Sequence, residues 1–152
     1  LEFIIIVIII FIDQISKYLT TSYLKPIGSI TILKNVFNLT YVENRGAAFG
    51  ILQNQRWLFI VLTIIIAIAV ACYLILNRNE SLILRISLSM ILGGAIGNLI
   101  DRIRLGYVVD MLHFSLIDFP VFNVADSFIV IGTILLGYYI LFMAEKEGKM
   151  IG

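Results

Sequence analysis

Charged side chains are scarce in this chain of 152 residues, since Asp, Glu, Lys and Arg together make up only 14%. Soluble domains carry about 25% charged residues, and disordered chains are rich in charge and poor in apolar side chains. The low charge therefore excludes both a soluble globular domain and a disordered chain. The formal net charge is +1, which provides no broad basic surface for nucleic acid.

Cysteine and histidine are almost absent, with one residue of each. A single cysteine forms no internal disulfide bond, and the sequence has no Cys/His cluster for zinc. Cys72 lies in an apolar run and is interpreted as a small buried hydrophobic residue. His113 follows Asp110 by three residues, but no Ser or Cys nucleophile motif accompanies this pair. These absences give little support to metal chemistry or a nucleophilic triad.

Apolar residues are abundant and make up 61% of the chain. They are concentrated in long runs, and about 20 apolar residues suffice for a helix that crosses a bilayer. We therefore predict a mainly α integral membrane protein that forms a single membrane-embedded domain over residues 1–152. The four predicted transmembrane helices cover residues 3–19, 57–76, 82–100 and 127–143.

Two polar connections join these helices, over residues 20–56 and 101–126. The β-branched and aromatic run 36–42 predicts a strand, and hence a small β-sheet region in the first connection. Four spans place both connections on one side of the membrane. That side holds seven Lys and Arg residues and the other side four, which by the positive-inside rule favours a cytoplasmic location for the connections. We expect this count to be incomplete, because the chain begins with Leu rather than Met.

Five aspartates lie at or just beyond the helix ends that face these connections: Asp13, Asp101, Asp110, Asp118 and Asp126. A carboxylate at the centre of a bilayer costs about 2.5–3.5 kcal/mol, so their convergence on one face marks a candidate site. Asp126 stands just before an apolar helix, where it also suits an N-cap. Asp110 lies inside an apolar run, where a carboxylate needs a partner or a proton.

Two neighbouring carboxylates meet this need by sharing one proton, and such a pair can activate water as base and acid. Asp110 and Asp126 therefore predict an aspartyl hydrolase dyad. A salt-bridged or proton-carrying pair has the same pattern, so a small proton-linked carrier or channel subunit is the alternative. A carrier would line a path across the membrane with charges, whereas the second predicted helix has none.

Small and polar residues share one face of the third helix. Gly94 and Asn98 are four residues apart, and Asn98 and Asp101 are three apart. Glycines on this face allow close contact with another helix. Arg102 follows at the helix end, where it suits a lipid phosphate, a substrate group or an ion pair with Asp101.

Two other segments carry candidate site residues. Asp13 and Lys17 are four residues apart on the first helix, which predicts an ion pair, with a lipid phosphate as the other partner for Lys17. Asn44 and Gly46 lie in a turn followed by small residues. Gly46 permits a positive φ there, and Asn44 suits contact with a substrate backbone.

Four blocks of the sequence resemble the lipoprotein signal peptidases of bacteria, also called signal peptidase II. They occur in the family's order and span nearly the whole chain. The blocks read DQISKY over residues 13–18, NRGAAF over 44–49, GGAIGNLIDR over 93–102 with Gly106 and VVD at 108–110, and FPVFNVAD over 119–126.

The resemblance implies an aspartyl endopeptidase of the bacterial cytoplasmic membrane, which cuts diacylglyceryl-modified prolipoproteins just before the lipidated cysteine. It implies Asp110 and Asp126 as the catalytic pair, with Asp101 as the rival of Asp110. Arg102 beside Asp101 is expected to keep that carboxylate ionised and paired. The implied supporting or substrate-binding residues are Asp13, Lys17, Asn44, Gly46, Asn98, Asp101, Arg102, Asn123 and Ala125.

The resemblance also implies partners and placement. The partners are lipidated prolipoproteins, membrane phospholipids and cyclic peptide inhibitors of the globomycin type. No metal, cofactor or nucleic acid is expected, and a monomer suffices for the chemistry. The family's site faces the extracytoplasmic side, and we expect that orientation in preference to the one from the charge count. The first-connection sheet and residues 44–49 are expected to position the peptide.

Overall fold

The computed structural model describes residues 1–46, 52–117 and 119–144. Ala47, Ala48 and Phe49 of the NRGAAF block, and Asp118, lie outside the described residues. Within the described ranges, four helices and three strands follow one another along the chain. They are α1 Glu2–Leu19, β1 Ser29–Leu33, β2 Phe37–Asn44, α2 Arg56–Leu76, α3 Leu82–Arg104, β3 Val108–Phe114 and α4 Val124–Phe142. A five-residue π-helical turn, Thr20–Leu24, extends α1.

All four helices are long and apolar enough to cross a membrane, as predicted. Many of their large apolar side chains are exposed on the outside of the bundle, which suits helices surrounded by lipid rather than water. Cys72 is one of the exposed residues, so its interpretation as a buried residue is wrong. The predicted end of the third helix is also wrong, because α3 continues to Arg104 and carries Asp101 and Arg102 in its last turns.

Helix α3 is the centre of the bundle and packs against α1, α2 and α4. Its glycines permit this contact. A Cβ at Gly94 would collide with the carbonyl oxygen of Ala125 and would lie 2.8 Å from Ile129 Cγ1. A Cβ at Gly97 would lie 2.6 Å from Asp13 Oδ2. The two glycines therefore set how closely α4 and the polar end of α1 approach α3.

The three strands form one antiparallel sheet in the order β1–β2–β3. The prediction confined the sheet to the first connection, but β3 comes from the second connection. Pairing places Val42 opposite Asp110 and Asn44 opposite Val108. Phe122 then adds a bridge to Leu112 on the other edge of β3. The sheet thus joins the two connections and fixes Asp110 between β2 and the start of α4.

The start of α4 differs from the prediction in one respect. Asn123, not Asp126, is the N-cap, and Asp126 occupies the third helical position. Asn123 Oδ1 accepts from the Asp126 backbone N–H, while Asp126 Oδ2 accepts from the Asn123 backbone N–H, which is a capping box. The helix therefore begins at Val124, three residues before the predicted start. One Asp126 oxygen stays available to the interior.

Replacing Gly94 by Ala is expected to destabilise the bundle by about 1–3 kcal/mol, because the added methyl group meets backbone that cannot move away cheaply. Gly137→Ala is the matched control. Gly137 lies on α4, the helix that Gly94 contacts, and a Cβ at Gly137 meets nothing within 4 Å. Thermal unfolding in detergent measures both variants. Equal melting temperatures for the two would contradict the close α3–α4 contact.

Candidate active site

A pocket of about 760 Å³ lies between the sheet and the first turns of α4. Asp110 and Asp126 both line it. Other polar residues on its wall come from β2, the segment after it, α3 and α4: Glu43, Asn44, Gly46, Gln53, Asn98, Arg102 and Ser127. Apolar side chains of α4 and of residues 119–122 complete the wall. Sequence-predicted site residues from four separate segments thus meet around one cavity.

Asp110 is almost completely buried on β3, flanked by buried Val109 and Met111. Its Oδ1 accepts from Asn123 Nδ2 at 2.6 Å, and its Oδ2 accepts from Asn44 Nδ2 at 2.9 Å. Burial, followed by the negative charge of Asp126, raises the pKa of Asp110 to about 7, against the opposing effect of the two amide donors. Asp110 therefore takes up a proton near neutral pH.

Asp126 faces the same pocket from the first turn of α4. Its Oδ1 accepts from Asn98 Nδ2 at 2.7 Å. Asn123 Nδ2 lies within hydrogen-bonding distance of both Asn98 Oδ1, at 3.1 Å, and Asp110 Oδ1. The two asparagine side chains thereby link the two carboxylates through a short chain of amide groups.

Lys17 forms a buried cluster beneath this pair. Its Nζ lies 2.9 Å from Asp13 Oδ2 and 3.1 Å from Asp101 Oδ2, and it donates to Asn98 Oδ1 at 2.9 Å. These three acceptors match the three N–H groups of an ammonium ion. The lysine side chain is only 4% exposed, so the predicted ion pair with Asp13 is present and a lipid phosphate has no access to it.

Asp101 takes a different partner from the one predicted. Among the described residues its ion pair is with Lys17, whereas no ion pair joins it to Arg102. Asp101 Oδ2 also accepts from the backbone N–H of Val109, at 3.1 Å. This bond anchors the residue that precedes Asp110. The carboxylate is therefore occupied by structural contacts, which weakens its claim as the rival of Asp110.

The guanidinium of Arg102 points toward the pocket instead. It lies 4.9 Å from the centre of the Phe59 ring, and one N–H group reaches the backbone oxygen of Gly46 at 3.3 Å. It interacts electrostatically with the carboxylates of Asp126, Asp110 and Asp101. A positive charge at this position suits contact with a substrate carbonyl.

Asn44, Gly46 and Ala125 fit around the carboxylates through short contacts. Gly46 N–H donates to Asn44 Oδ1 at 3.0 Å, which turns the amide group of Asn44 toward Asp110. Ala125 is fully buried, and its backbone N–H donates to Asp13 Oδ1 at 2.9 Å. Asp13 thus supports α4 one residue before Asp126.

Two contributors were missed by sequence reasoning. Gln14 Nε2 lies within 3.1–3.2 Å of Asp13 Oδ2, Asp101 Oδ1 and the Gly97 oxygen, and so joins α1 to α3. Gln14 lies three residues before Lys17 and therefore near the same helix face, so this spacing could have predicted its place in the site. Arg56 donates to the backbone oxygens of Arg102 and Ile103 at the end of α3, at 2.7 Å and 3.0 Å. No local pattern indicates that long-range contact.

A metal ion would need a group of ligands within the described ranges, residues 1–46, 52–117 and 119–144. His, Cys, Asp and Glu form no group of three suited to a metal ion within those ranges. His113 pairs across the sheet with Asn38 and, at three residues along a strand, points to the opposite face from Asp110. Among the described residues, the polar side chains that line the pocket carry carboxylate, amide, guanidinium and hydroxyl groups.

Comparison with known proteins decides the family. Residues 5–142 match the family model described as "Signal peptidase (SPase) II". A lipoprotein signal peptidase of Caldanaerobacter subterraneus subsp. tengcongensis is 56% identical over 140 residues, which cover 91% of this chain and 94% of the relative. The chain belongs to the signal peptidase II family. The resemblance drawn from the sequence motifs is thereby confirmed.

A second relative and two solved structures are also similar to this chain. A lipoprotein signal peptidase of Clostridioides difficile is 46% identical over 147 residues, covering 97% of this chain and 99% of that protein. Two solved structures described as bacterial membrane enzymes match with TM-scores of 0.85 and 0.83 at 36% identity. The first match covers 92% of this chain and 87% of the solved chain. The second covers 94% of each.

Membership of the signal peptidase II family makes this chain a protease that removes signal peptides from prolipoproteins. Its four membrane-capable helices and the membrane enzymes it resembles make it a multi-pass membrane protein.

Replacing Lys17 by Met is expected to destabilise this signal peptidase II chain by about 3–5 kcal/mol, because two buried carboxylates lose their counter-charge. Lys34→Met is the control, since Lys34 is exposed in the turn between β1 and β2. The fraction of folded protein after detergent extraction and the melting temperature measure the effect. If the Lys17→Met protein melts at the same temperature as the Lys34→Met control, the buried ion-pair cluster does not stabilise the fold.

Proposed function

We propose that this chain is an aspartyl endopeptidase that cuts lipidated prolipoproteins just before the diacylglyceryl-modified cysteine, with Asp110 and Asp126 as the catalytic pair. One observation carries the proposal. Asp110 is buried at a pocket wall with a pKa raised to about 7, and the negative charge that helps to raise it is that of Asp126 on the same wall. Two carboxylates in that relation hold one proton at neutral pH.

The chemistry follows from one shared proton. The ionised carboxylate takes a proton from a water molecule as the water oxygen attacks the scissile carbonyl carbon. The protonated carboxyl group donates its proton to the carbonyl oxygen, which gives a neutral tetrahedral intermediate. As the C–N bond breaks, the protonated carboxyl group donates its proton to the leaving amine, and the other carboxylate takes the proton of one hydroxyl group of the intermediate. The pair thereby regains its one proton. The pair titrates as a unit, so the resting proton belongs to both.

The remaining polar residues orient this pair. Asn98 and Asn123 donate to Asp126 and Asp110 respectively, which holds each carboxylate in a fixed plane. Arg102 supplies positive charge where the substrate carbonyl develops negative charge. Asn44, Gly46 and the sheet provide backbone and amide groups for an extended peptide. The pair is supported through the contacts of four further residues: Asp13, Lys17, Asp101 and Ala125.

The pocket also suits a lipidated substrate. Ile129, Val130 and Ile131 of α4 form part of its wall, and Val130 and Ile131 are also exposed on the outside of the bundle. A substrate arriving sideways from the bilayer can therefore keep its acyl chains against apolar side chains while its peptide enters the pocket. Membrane phospholipids cover the outer helix faces in this proposal. Cyclic peptides of the globomycin type would compete for the same pocket.

We place the site on the extracytoplasmic side of the bacterial cytoplasmic membrane. The charge count that favours the opposite side includes cations engaged in structural contacts. Lys17 is buried in an ion-pair cluster, and Arg56 is bonded to the end of α3. Such cations report poorly on topology. Every proposed site residue comes from one chain, so a monomer in a single domain suffices.

Asp110→Asn and Asp126→Asn are each expected to abolish cleavage of a purified diacylglyceryl-modified prolipoprotein, because neither variant retains a pair that can both accept and donate the proton. Asp101→Asn is expected to weaken cleavage without abolishing it, since Asp101 acts through Lys17 and β3. A gel-shift assay of the cleaved product measures all three variants beside the wild type.

Melting temperatures of the three variants serve as the control for folding. Normal cleavage by either Asp110→Asn or Asp126→Asn in a folded protein contradicts the dyad. Complete loss with Asp101→Asn together with retained activity of Asp110→Asn would transfer the catalytic role to Asp101. A wild-type protein that is folded yet cleaves nothing, and instead carries protons in liposomes, would favour the carrier alternative.

The reaction is expected to slow on the alkaline side of neutrality. Burial and the charge of Asp126 raise the pKa of Asp110 to about 7. Below this pH the pair holds its proton, and above it the proton is lost and no acid remains for the carbonyl oxygen. Single-turnover rates measured between about pH 5 and about pH 9 should fall through a midpoint near neutrality. Rates that rise or stay level across that range would contradict a shared proton.

A further inference from the structure

A polar network lies on the back face of the sheet, directly behind Asp110. Side chains alternate between the two faces of a strand. On β2, Asn44 reaches Asp110 on the pocket side, whereas Glu43 is paired with Val109 of β3. Val109 belongs to the buried apolar cluster behind the sheet, against which Tyr41 packs. The side-chain contacts of Glu43 and Asn44 thus lie on opposite faces of the sheet, although Glu43 also contributes to the pocket wall.

Glu43 is the centre of this network. Its Oε1 accepts from Lys25 Nζ and from the hydroxyl of Tyr41, each at 3.1 Å. Its Oε2 accepts from the guanidinium of Arg45 at 3.1 Å. The same guanidinium lies 5.2 Å from the centre of the Tyr107 ring. One carboxylate therefore joins the end of the α1 extension, β2, the exit of β2 and the entry to β3.

Arg45 connects the network to the pocket. The residues on either side of it, Asn44 and Gly46, both contact the pocket's charged groups. Asn44 Nδ2 donates to Asp110, and the Gly46 oxygen accepts from Arg102 at 3.3 Å. Because Arg45 is held on the back face, its two neighbours are held toward the front. No functional role for Glu43 follows from the catalytic chemistry itself.

We propose that Glu43 is a positioning residue for cleavage, because its contacts with Arg45, Tyr41 and Lys25 fix Asn44 in the orientation in which its amide donates to Asp110. This inference rests on the proposed catalytic role of Asp110. Lys25 and Arg45 are about half exposed, with side chains 47% and 51% accessible, so each ion pair alone is weak. Their common acceptor makes them act together on one short segment.

The surroundings of Asp110 allow this role to be isolated. The charged groups around it are Asp126 on α4, Asp101 and Arg102 on α3, and Lys17 on α1, and its amide donors are Asn44 and Asn123. A Glu43→Gln substitution leaves every one of these groups in place. The substitution also removes one negative charge, whose direct effect would lower the pKa of Asp110. A shift of the pH dependence to higher pH would therefore report on the Asn44 amide.

The test compares Glu43→Gln, Asn44→Ala and the double variant with the wild type in the prolipoprotein cleavage assay across pH. Glu43→Gln is expected to lower the single-turnover rate about twofold to fivefold, the size that an exposed ion-pair network supports. It is also expected to shift the alkaline limb, which is the fall in cleavage rate above neutral pH, to higher pH. The reason is that the Asn44 amide lowers the pKa of Asp110, and this effect weakens when the amide loses its orientation. In the Asn44→Ala background, Glu43→Gln should move the limb no further.

Two further variants complete the test. Arg45→Met removes another member of the network and should shift the limb in the same direction as Glu43→Gln. Glu80→Gln is the matched control, since Glu80 contacts Tyr73 near the turn between α2 and α3, and it should leave the rate and the limb unchanged.

The possible failures are distinguishable. A Glu43→Gln protein that melts at a lower temperature but keeps the wild-type limb has lost only stability, which overturns the positioning role. A limb shift that persists in the Asn44→Ala background overturns it as well, because the effect then bypasses Asn44. Asp110→Asn is run in parallel, and its normal cleavage would overturn the proposed function, whatever Glu43→Gln does.

Discussion

One buried ammonium group, that of Lys17, organises the polar interior of this membrane protein. It neutralises Asp13 of its own helix and Asp101 of α3, and it donates to Asn98. Each aspartate uses its remaining capacity to hold another element: Asp13 accepts from the backbone of Ala125, and Asp101 accepts from the backbone of Val109. Because unpaired charges are costly away from water, α1, α3, α4 and β3 are held in one relative position.

The same ammonium group determines which way the neighbouring amides face. Lys17 is only a donor, so the Asn98 oxygen must point toward it and the Asn98 NH₂ group toward Asp126. The Asn123 oxygen is likewise taken by the Asp126 backbone N–H, which leaves its NH₂ group for Asp110. Donors therefore face both carboxylates, and in the proposed mechanism one shared proton removes the remaining repulsion between them. In this account, a structural ion-pair cluster prepares the chemistry without taking part in it.

The parts that sequence predicted correctly depend on local information. Twenty apolar residues in a row indicate a spanning helix wherever the chain folds, and an aspartate between valines and methionine indicates a perturbed carboxyl group. The ion pair of Asp13 with Lys17 is also local, because four residues make one helical turn. The motifs then identified the family, whereas the roles that the resemblance implies for single residues stay predictions.

The errors concern contacts between distant segments. Strand β3 was not predicted, because its partner β2 lies in the other connection and its run of apolar residues has no clean alternation. Asp101 was paired with its sequence neighbour Arg102, whereas the partner is Lys17 on another helix. Asp126 was assigned the N-cap that Asn123 occupies, because both residue types suit that position. In each case the local preference was reasonable and tertiary packing selected another solution.

The central claim is that Asp110 and Asp126 share one proton, and infrared spectroscopy of protonated carboxyl groups measures this directly. We expect the wild-type protein to show a band of a protonated carboxyl group. As the pH is raised, this band should disappear with a midpoint close to the pKa of Asp110, which is about 7. The band should be absent in Asp110→Asn. It should titrate at lower pH in Asp126→Asn, where the negative neighbour is gone. A titrating band that survives Asp110→Asn, or no carboxyl band that titrates near neutral pH, would contradict the shared proton.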